Sequence, residues 1–430
     1  MTTTRSLPMA QTDLQSALPS RTPPSSEAVD DLPFSGLRIL DISQGIAGPY
    51  CAHILWQQGA DVIKVDPPAG DWGRHVGVVR GEHSALSIAY NAGKRGVCID
   101  AATDAGKALL FDLALRADIV VQNFRPQVAE RLGVGYAALC ARNPALVYVS
   151  ISGYGADGPY ADYPASDSVM QADSGLMHTN RMADGSPRRI GMLLADAATG
   201  LYAAQAAAAA LCRRFRSGAG AHVALSLFDA CVALQANNIL EYAIQGAVTA
   251  GPVSAPNGVF ATSDGSLTLL ALNNAQFGRL CRALDRPGWA QDARFADNAS
   301  RMAHAAWLQD AVAAVLAGKS TAHWLGVLQA HDILHAPVRH YQQVLDHPLA
   351  ALQGTFQTVE QAGLGALPFA GIPAKGMRRA ATAAPRVGEH TEAVLREYGV
   401  PSNKLAQWLE MGVVRQASPL AGNAAAGASA

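Results

Sequence analysis

Asp196 lies in the run Ile190-Gly191-Met192-Leu193-Leu194-Ala195-Asp196-Ala197-Ala198-Thr199-Gly200, where apolar residues lead a single carboxylate to the start of a long alanine-rich stretch. A charge set among Leu194, Ala195 and Ala197 is expensive to desolvate unless backbone N–H groups or a ligand compensate it. Two readings follow. Aspartate is a preferred helix cap, and a carboxylate in such a setting is also a candidate nucleophile. The local sequence leaves both open. Other chemistries lack support. Gly153-Tyr154-Gly155-Ala156-Asp157-Gly158 matches GxGxxG after an expected strand, but Pro159 and Pro164 forbid the normal helix that a dinucleotide site would need next. No GxSxG, Walker loop or HExxH occurs, and His53, His75, His83 and His178 show no paired ligand spacing.

The elements that must position Asp196 read as alternating strands and helices. Gly36–Ile42 predicts a strand, about Pro49 to Gln58 a helix stopped by Gly59, and Asp61–Val65 the next strand, the spacing of a βαβ unit. Gly96–Asp100 predicts another strand. Thr103 caps a helix over Asp104–Arg116, Asp118–Gln122 returns to the sheet, and a helical stretch around Tyr136–Arg142 leads into a strand at Ala145–Ile151. This alternation predicts an α/β domain with a mostly parallel sheet. The alanine-rich segment Thr199–Phe215 is a strong helix former, long enough to leave one domain and enter another. Val259–Leu270 predicts a hairpin turning at Ser263–Ser266, with helices following at about 275–284, 305–317 and 320–330. The expected layout is therefore a disordered tail over 1–35, a large α/β domain with its connecting helix over 36–227, a smaller α+β domain over 228–345, a segment returning to the large domain over 346–415, and a flexible tail over 416–430. A last helix is expected at Glu392–Tyr398.

Bulk composition narrows the partners. The 430 residues are 50% hydrophobic and 16% charged with a formal net charge of -1, which argues against broad electrostatic binding to nucleic acid or an acidic membrane and for a small or medium ligand. No apolar run is long enough to span a bilayer, and the start of the chain lacks a secretory pattern. Cys51, Cys98, Cys140, Cys212, Cys231 and Cys281 are scattered without CxxC spacing, as expected of thiols in a reducing cytosol; a cytoplasmic location is expected.

Several spaced blocks carry a resemblance. Gly36–Ser43 through Ala47-Gly48-Pro49, Leu55 to Val65, Asn91–Arg95, Val121–Pro126 with Arg131-Leu132-Gly133, Ser152–Gly155, Ser166-Asp167, Gln171-Ala172, Asp196 and Gly388–Thr391 together resemble the family III coenzyme A transferases, also called the CaiB/BaiF group, over about 36 to 400. The resemblance implies a large Rossmann-like domain plus a small domain, two chains interlocked as a homodimer, no permanently bound cofactor and no metal, with a coenzyme A thioester and a small carboxylic acid as substrates. It implies that Asp196 is the nucleophile, forming an aspartyl anhydride with an acyl-CoA and then an aspartyl-CoA thioester. Amides at the start of the following helix, and a loop for which Gly251-Pro252 to Asn257-Gly258 is the candidate, are expected to stabilise the oxyanions.

For coenzyme A the resemblance implies Ile46 and Ala47 after the first strand, Ile99 near the adenine, Asn123, Phe124 and Arg125 after the Val121 strand, Arg131, and Asp167 near the thioester. Arg131 also reads as a helix C-terminal charge, and Asp167 as the cap of its own helix. Formyl-CoA transferases carry Gln where Ile46 stands, which disfavours oxalate or formate chemistry. Acyl-CoA racemases of the family carry a His-Asp pair where this chain has Ser166-Asp167, and serine is a poor base at neutral pH. A racemase or isomerase and a noncatalytic CoA-binding protein are the alternatives to a CoA-transferase.

Overall fold

A computed structural model describes residues 31–182, 184–246 and 253–418. Its framework is a seven-stranded sheet. In chain order the strands are β1 (Arg38–Asp41), β2 (Asp61–Asp66), β3 (Arg95–Ile99), β4 (Ile119–Gln122), β5 (Val147–Ser152), β6 (Ala221–Ser226) and, near the end of the described chain, a short strand at Val414–Arg415. The spatial order is the C-terminal strand, then β3-β2-β1-β4-β5-β6. All six longer strands are parallel, and only the Val414–Arg415 pairing with β3 is antiparallel. Runs such as Ile119-Val120-Val121 and Val147-Tyr148-Val149 are buried throughout because helices cover both faces of such a sheet.

This is the doubly wound arrangement, with its switch in strand order between β1 and β4, the crevice where open sheets of this kind hold ligands. The helix after β1, α1 (Ala47–Gln57), is buried along nearly its whole length. It packs against α2 (Ala85–Asn91) and along a 24-residue helix, Leu194–Ser217. That long helix does not leave the domain as the sequence reading expects. Its alanines face the large core, it stops at Gly218 in the left-handed conformation, and the chain returns as β6, which pairs with β5 at the sheet edge. Ala221–Ser226 lies at the sheet edge with only Ser226 fully buried, and it escapes notice because its sequence has no apolar run longer than three residues.

The helix Leu227–Leu234 still belongs to the large core, through Leu227 and Cys231. The boundary expected at 227/228 therefore falls at a helix joined to the first domain. The small core begins at Ala255 and is built on an antiparallel sheet of Asn257–Ala261, Ser266–Leu270 and Leu334–Pro337, covered by helices Asn274–Ala283, Ala305–Leu316 and Thr321–Ala330. The later chain returns to the large domain. A hairpin of Phe356–Gln361 and Gly365–Ala370 lies beside α1, the Ile372 amide donates to Gln57 Oε1 (2.6 Å), and a helix at Thr391–Glu397 packs on β3. Order at the start also runs further than the expected tail allows: the Phe34 amide donates to the Gln58 carbonyl (2.9 Å). Residues 1–30 and 419–430, where most of the two tails fall, lie outside the described residues.

Candidate active site

Asp196 is the third residue of the long helix, and the cap position is Leu193, whose side chain makes no capping bond. The capping reading is therefore overturned. The helix start is satisfied by a different carboxylate: the amides of Ala195 and Asp196 donate to Asp167 Oδ2 (2.8 and 3.4 Å). Asp167 opens the helix Asp167–Asp173, whose own cap is Ser166, with the Val169 amide donating to its hydroxyl. Asp167 is thus a cap, but of the helix that carries Asp196 and not of its own. Two of the amides expected to stabilise oxyanions, those of Ala195 and Asp196, thus face this carboxylate.

Gln171, one turn beyond Asp167 and fully buried, completes the positioning. Its Nε2 donates to Asp167 Oδ1 (2.7 Å) and to the Met192 carbonyl (3.1 Å), while its Oε1 accepts from the Ile190 amide (2.9 Å). One side chain therefore fixes both the capping carboxylate and the segment leading into Asp196. Among the described residues nothing donates a hydrogen bond to the Asp196 carboxylate. Burial, and after it the neighbouring Asp167 charge, push its pKa up to about 7. A carboxylate without donors, raised toward neutrality, is a stronger base and nucleophile than an exposed one.

The loop between β1 and α1 lies at the end of α1 that packs against the long helix at Gly200. Gly45 (φ +77°) has no room for a side chain, because an added Cβ would lie 2.0 Å from the Trp72 ring. The amides of Gly45 and Gly73 both donate to Asp71 Oδ1 (2.8 Å each). Behind the loop lies a fully buried charge network. Lys94 Nζ donates to Asp41 Oδ2 (2.7 Å), the Pro49 carbonyl (2.8 Å) and Asn91 Oδ1 (2.9 Å); Lys64 pairs with Asp66 (3.1 Å) and Asp71 (3.4 Å); Arg74 pairs with Asp66 (2.8 Å). Removing one member of such a network strands a buried charge, at a cost of about 3–5 kcal/mol. Gly200, one turn past Asp196, lets α1 and the long helix come together: a Cβ there would stand 2.9 Å from the Ala47 carbonyl oxygen and 2.9 Å from the Tyr50 ring.

The family model of CoA-transferase family III matches residues 34–391, most of the chain. The protein belongs to that family. It is 33% identical over 382 residues to a succinate–glutarate CoA-transferase of Agrobacterium fabrum, covering 85% of this chain and 95% of that one. It is 32% identical to an acetyl-CoA:oxalate CoA-transferase of Acetobacter aceti, covering 86% and 97%. A solved CaiB/BaiF family protein from Brucella suis superposes with a TM-score of 0.78 at 31% identity, over 85% of this chain and 99% of that one.

Within this CoA-transferase the expected coenzyme A positions divide into three groups. Ile46, Ala47 and Asn123 meet at the switch in strand order: Asn123 Oδ1 accepts from the Gln44 amide (2.8 Å) and its Nδ2 donates to the Gln44 carbonyl (2.7 Å), so both ends of its amide clamp the first loop. Arg125 and Arg131 are exposed beyond the carboxyl end of β4, with Phe124 packed on the core beneath. Ile99 is 1% exposed, its side chain packed in the core with Leu113 and Val414. Gly251 and Pro252 of the candidate loop lie outside the described residues; Ala255 is buried in the small core and Asn257-Gly258 open a strand. The sequence alone assigns no role to Gln171, Lys94 or Asp71. Gln171 and Lys94 stand inside the blocks that carry the resemblance, but only the fold shows what they hold.

Proposed function

We propose that the protein is an acyl-CoA:carboxylate CoA-transferase in which Asp196 carries the acyl group. The observation that supports this reading is an ion-poor carboxylate, raised to about 7 and free of hydrogen-bond donors among the described residues, held at a helix start by a second carboxylate that takes the helix amides. An Asp196 oxygen attacks the thioester carbonyl, the C–S bond breaks, and the thiolate leaves an aspartyl anhydride. The thiolate then attacks the aspartyl carbonyl, releasing the donor acid and forming an aspartyl-CoA thioester. The acceptor carboxylate displaces the thiolate again, giving a second anhydride. Thiolate attack on the acceptor acyl carbon yields the new acyl-CoA and restores Asp196. Each step exchanges one activated acyl bond for another, so the thioester's energy is retained.

In this proposal the nucleotide part of coenzyme A lies along the crevice between the β1–α1 loop and Asn123–Arg125, with Arg125 and Arg131 suited to its phosphates. Two chains are proposed to associate as an interlocked homodimer in the cytoplasm. The helix Ala236–Gln245 supports association: it has no buried residue, yet Ile239, Leu240, Tyr242 and Ile244 are all exposed. A racemase is disfavoured because the Ser166 hydroxyl caps its own helix and brings no base to the face opposite Asp196. Quenching turnover with hydroxylamine and sequencing the peptides by mass spectrometry tests the reading. A hydroxamate at position 196, formed only with a thioester donor, is expected; an unmodified Asp196 during measurable CoA transfer would refute it.

A further inference from the structure

A cavity of about 600 Å³ opens beside Asp196. Ala197 and Met192, on either side of the carboxylate in the chain, form part of its wall; Tyr50 and Tyr90, with ring centroids 5.2 Å apart, form another; and Leu364 and Leu367 of the C-terminal hairpin face them. With Ala197, the residue next to Asp196, in its wall, the cavity adjoins the candidate nucleophile and is of the size that small-molecule sites occupy.

Its chemistry is that of an apolar tail. Among the described residues that line it, Arg80 is the one side chain charged at neutral pH, and it is exposed. The two lining histidines are neutral: burial, with Lys94, takes His53 down to about 3, and burial, with Arg74, takes His83 down to about 4. His53 is moreover engaged, its Nδ1 3.1 Å from the Ala92 carbonyl and its Nε2 2.8 Å from Gln57 Nε2. A second carboxylate buried here would find no interior cation, and an unpaired buried charge is heavily penalised.

Resting on the covalent reading above, we infer that this cavity receives the acyl tail and that the enzyme prefers bulky apolar monocarboxylic acids, of medium-chain or aromatic type, over short dicarboxylic acids. The relatives named for succinate, glutarate and oxalate act on dicarboxylates, so the inference separates this chain from them.

The test is kcat/KM for CoA transfer across straight-chain monocarboxylic acyl-CoA donors, alongside succinyl-CoA and glutaryl-CoA, with hydroxylamine trapping in parallel. The expected result is a rise of roughly fourfold per added methylene until the cavity is filled. Leu367→Lys, which brings a cation into the wall, should flatten that rise and favour glutaryl-CoA by about tenfold relative to the wild type. Leu364→Trp should move the optimum to shorter chains, which keeps the inference testable if the lysine variant folds poorly. Equal or better use of succinyl-CoA by the wild type, with Asp196 still labelled, would overturn the substrate inference and leave the nucleophile intact. A preserved chain-length dependence without label at Asp196 would support the cavity and overturn the nucleophile. A Leu364→Trp protein that loses its dimeric state with chain-length preference unchanged would assign the cavity to a second copy and overturn the inference.

Discussion

At the scale of single residues, two aspartates divide the work. Asp167 holds amides, and Asp196 is left without donors among the described residues, so burial first and the Asp167 charge second raise its pKa. In the proposed mechanism only ionised Asp196 attacks, so kcat/KM for a fixed thioester should climb with pH through about 7. Asp167→Asn removes the repulsion and should shift that midpoint to lower pH while lowering the maximum through a looser helix start; an unchanged midpoint would show that Asp167 does not set it. The same shift has a sign in stability. A folded-state pKa raised from 3.8 to about 7 favours the protonated form, so the contribution is fully present below about pH 4 and is lost as pH rises through 7. Asp196→Asn, which cannot ionise, should match the wild type near pH 4 and exceed it at pH 8 by up to about 4 kcal/mol in urea unfolding. Asp196 was legible in the sequence because an acid inside an apolar run is conspicuous. Its partner's role was not, since Asp167 caps a helix 28 residues further along the chain.

At the scale of elements, the site depends on how closely α1 approaches the long helix. Gly200 permits that approach, and Gly200→Val should push the helices apart, lowering stability by about 1–3 kcal/mol and reducing kcat more than the affinity for coenzyme A; denaturant melts and steady-state kinetics would check both. Strands β1 to β5 were readable because continuous apolar runs, a Thr103 cap and Gly stops all agree with one another. The hairpin turning at 263–266 was readable for the same reason. The return strand Ala221–Ser226 was not: at a sheet edge its small, half-buried residues give a weak pattern, and the helix before it therefore seemed to lead away. The buried network of Lys64, Lys94 and Arg74 was equally hidden, because charged residues are read as surface until the fold pairs them.

At the scale of the whole molecule, the proposed homodimer would cover a helix that exposes four large apolar side chains, Ile239, Leu240, Tyr242 and Ile244. Sedimentation should show a dimer, and Leu240→Asp should shift it toward monomer with loss of activity; a monomeric, fully active wild type would count against the association. The central claim, however, is covalent, and isotope transfer reports on it most directly. With an acceptor acid labelled by heavy oxygen in its carboxylate, the anhydride route leaves one labelled oxygen on the side chain of Asp196 after turnover. The account predicts that label in the peptide containing residue 196; full conversion to the labelled acyl-CoA with an unlabelled Asp196 would contradict it.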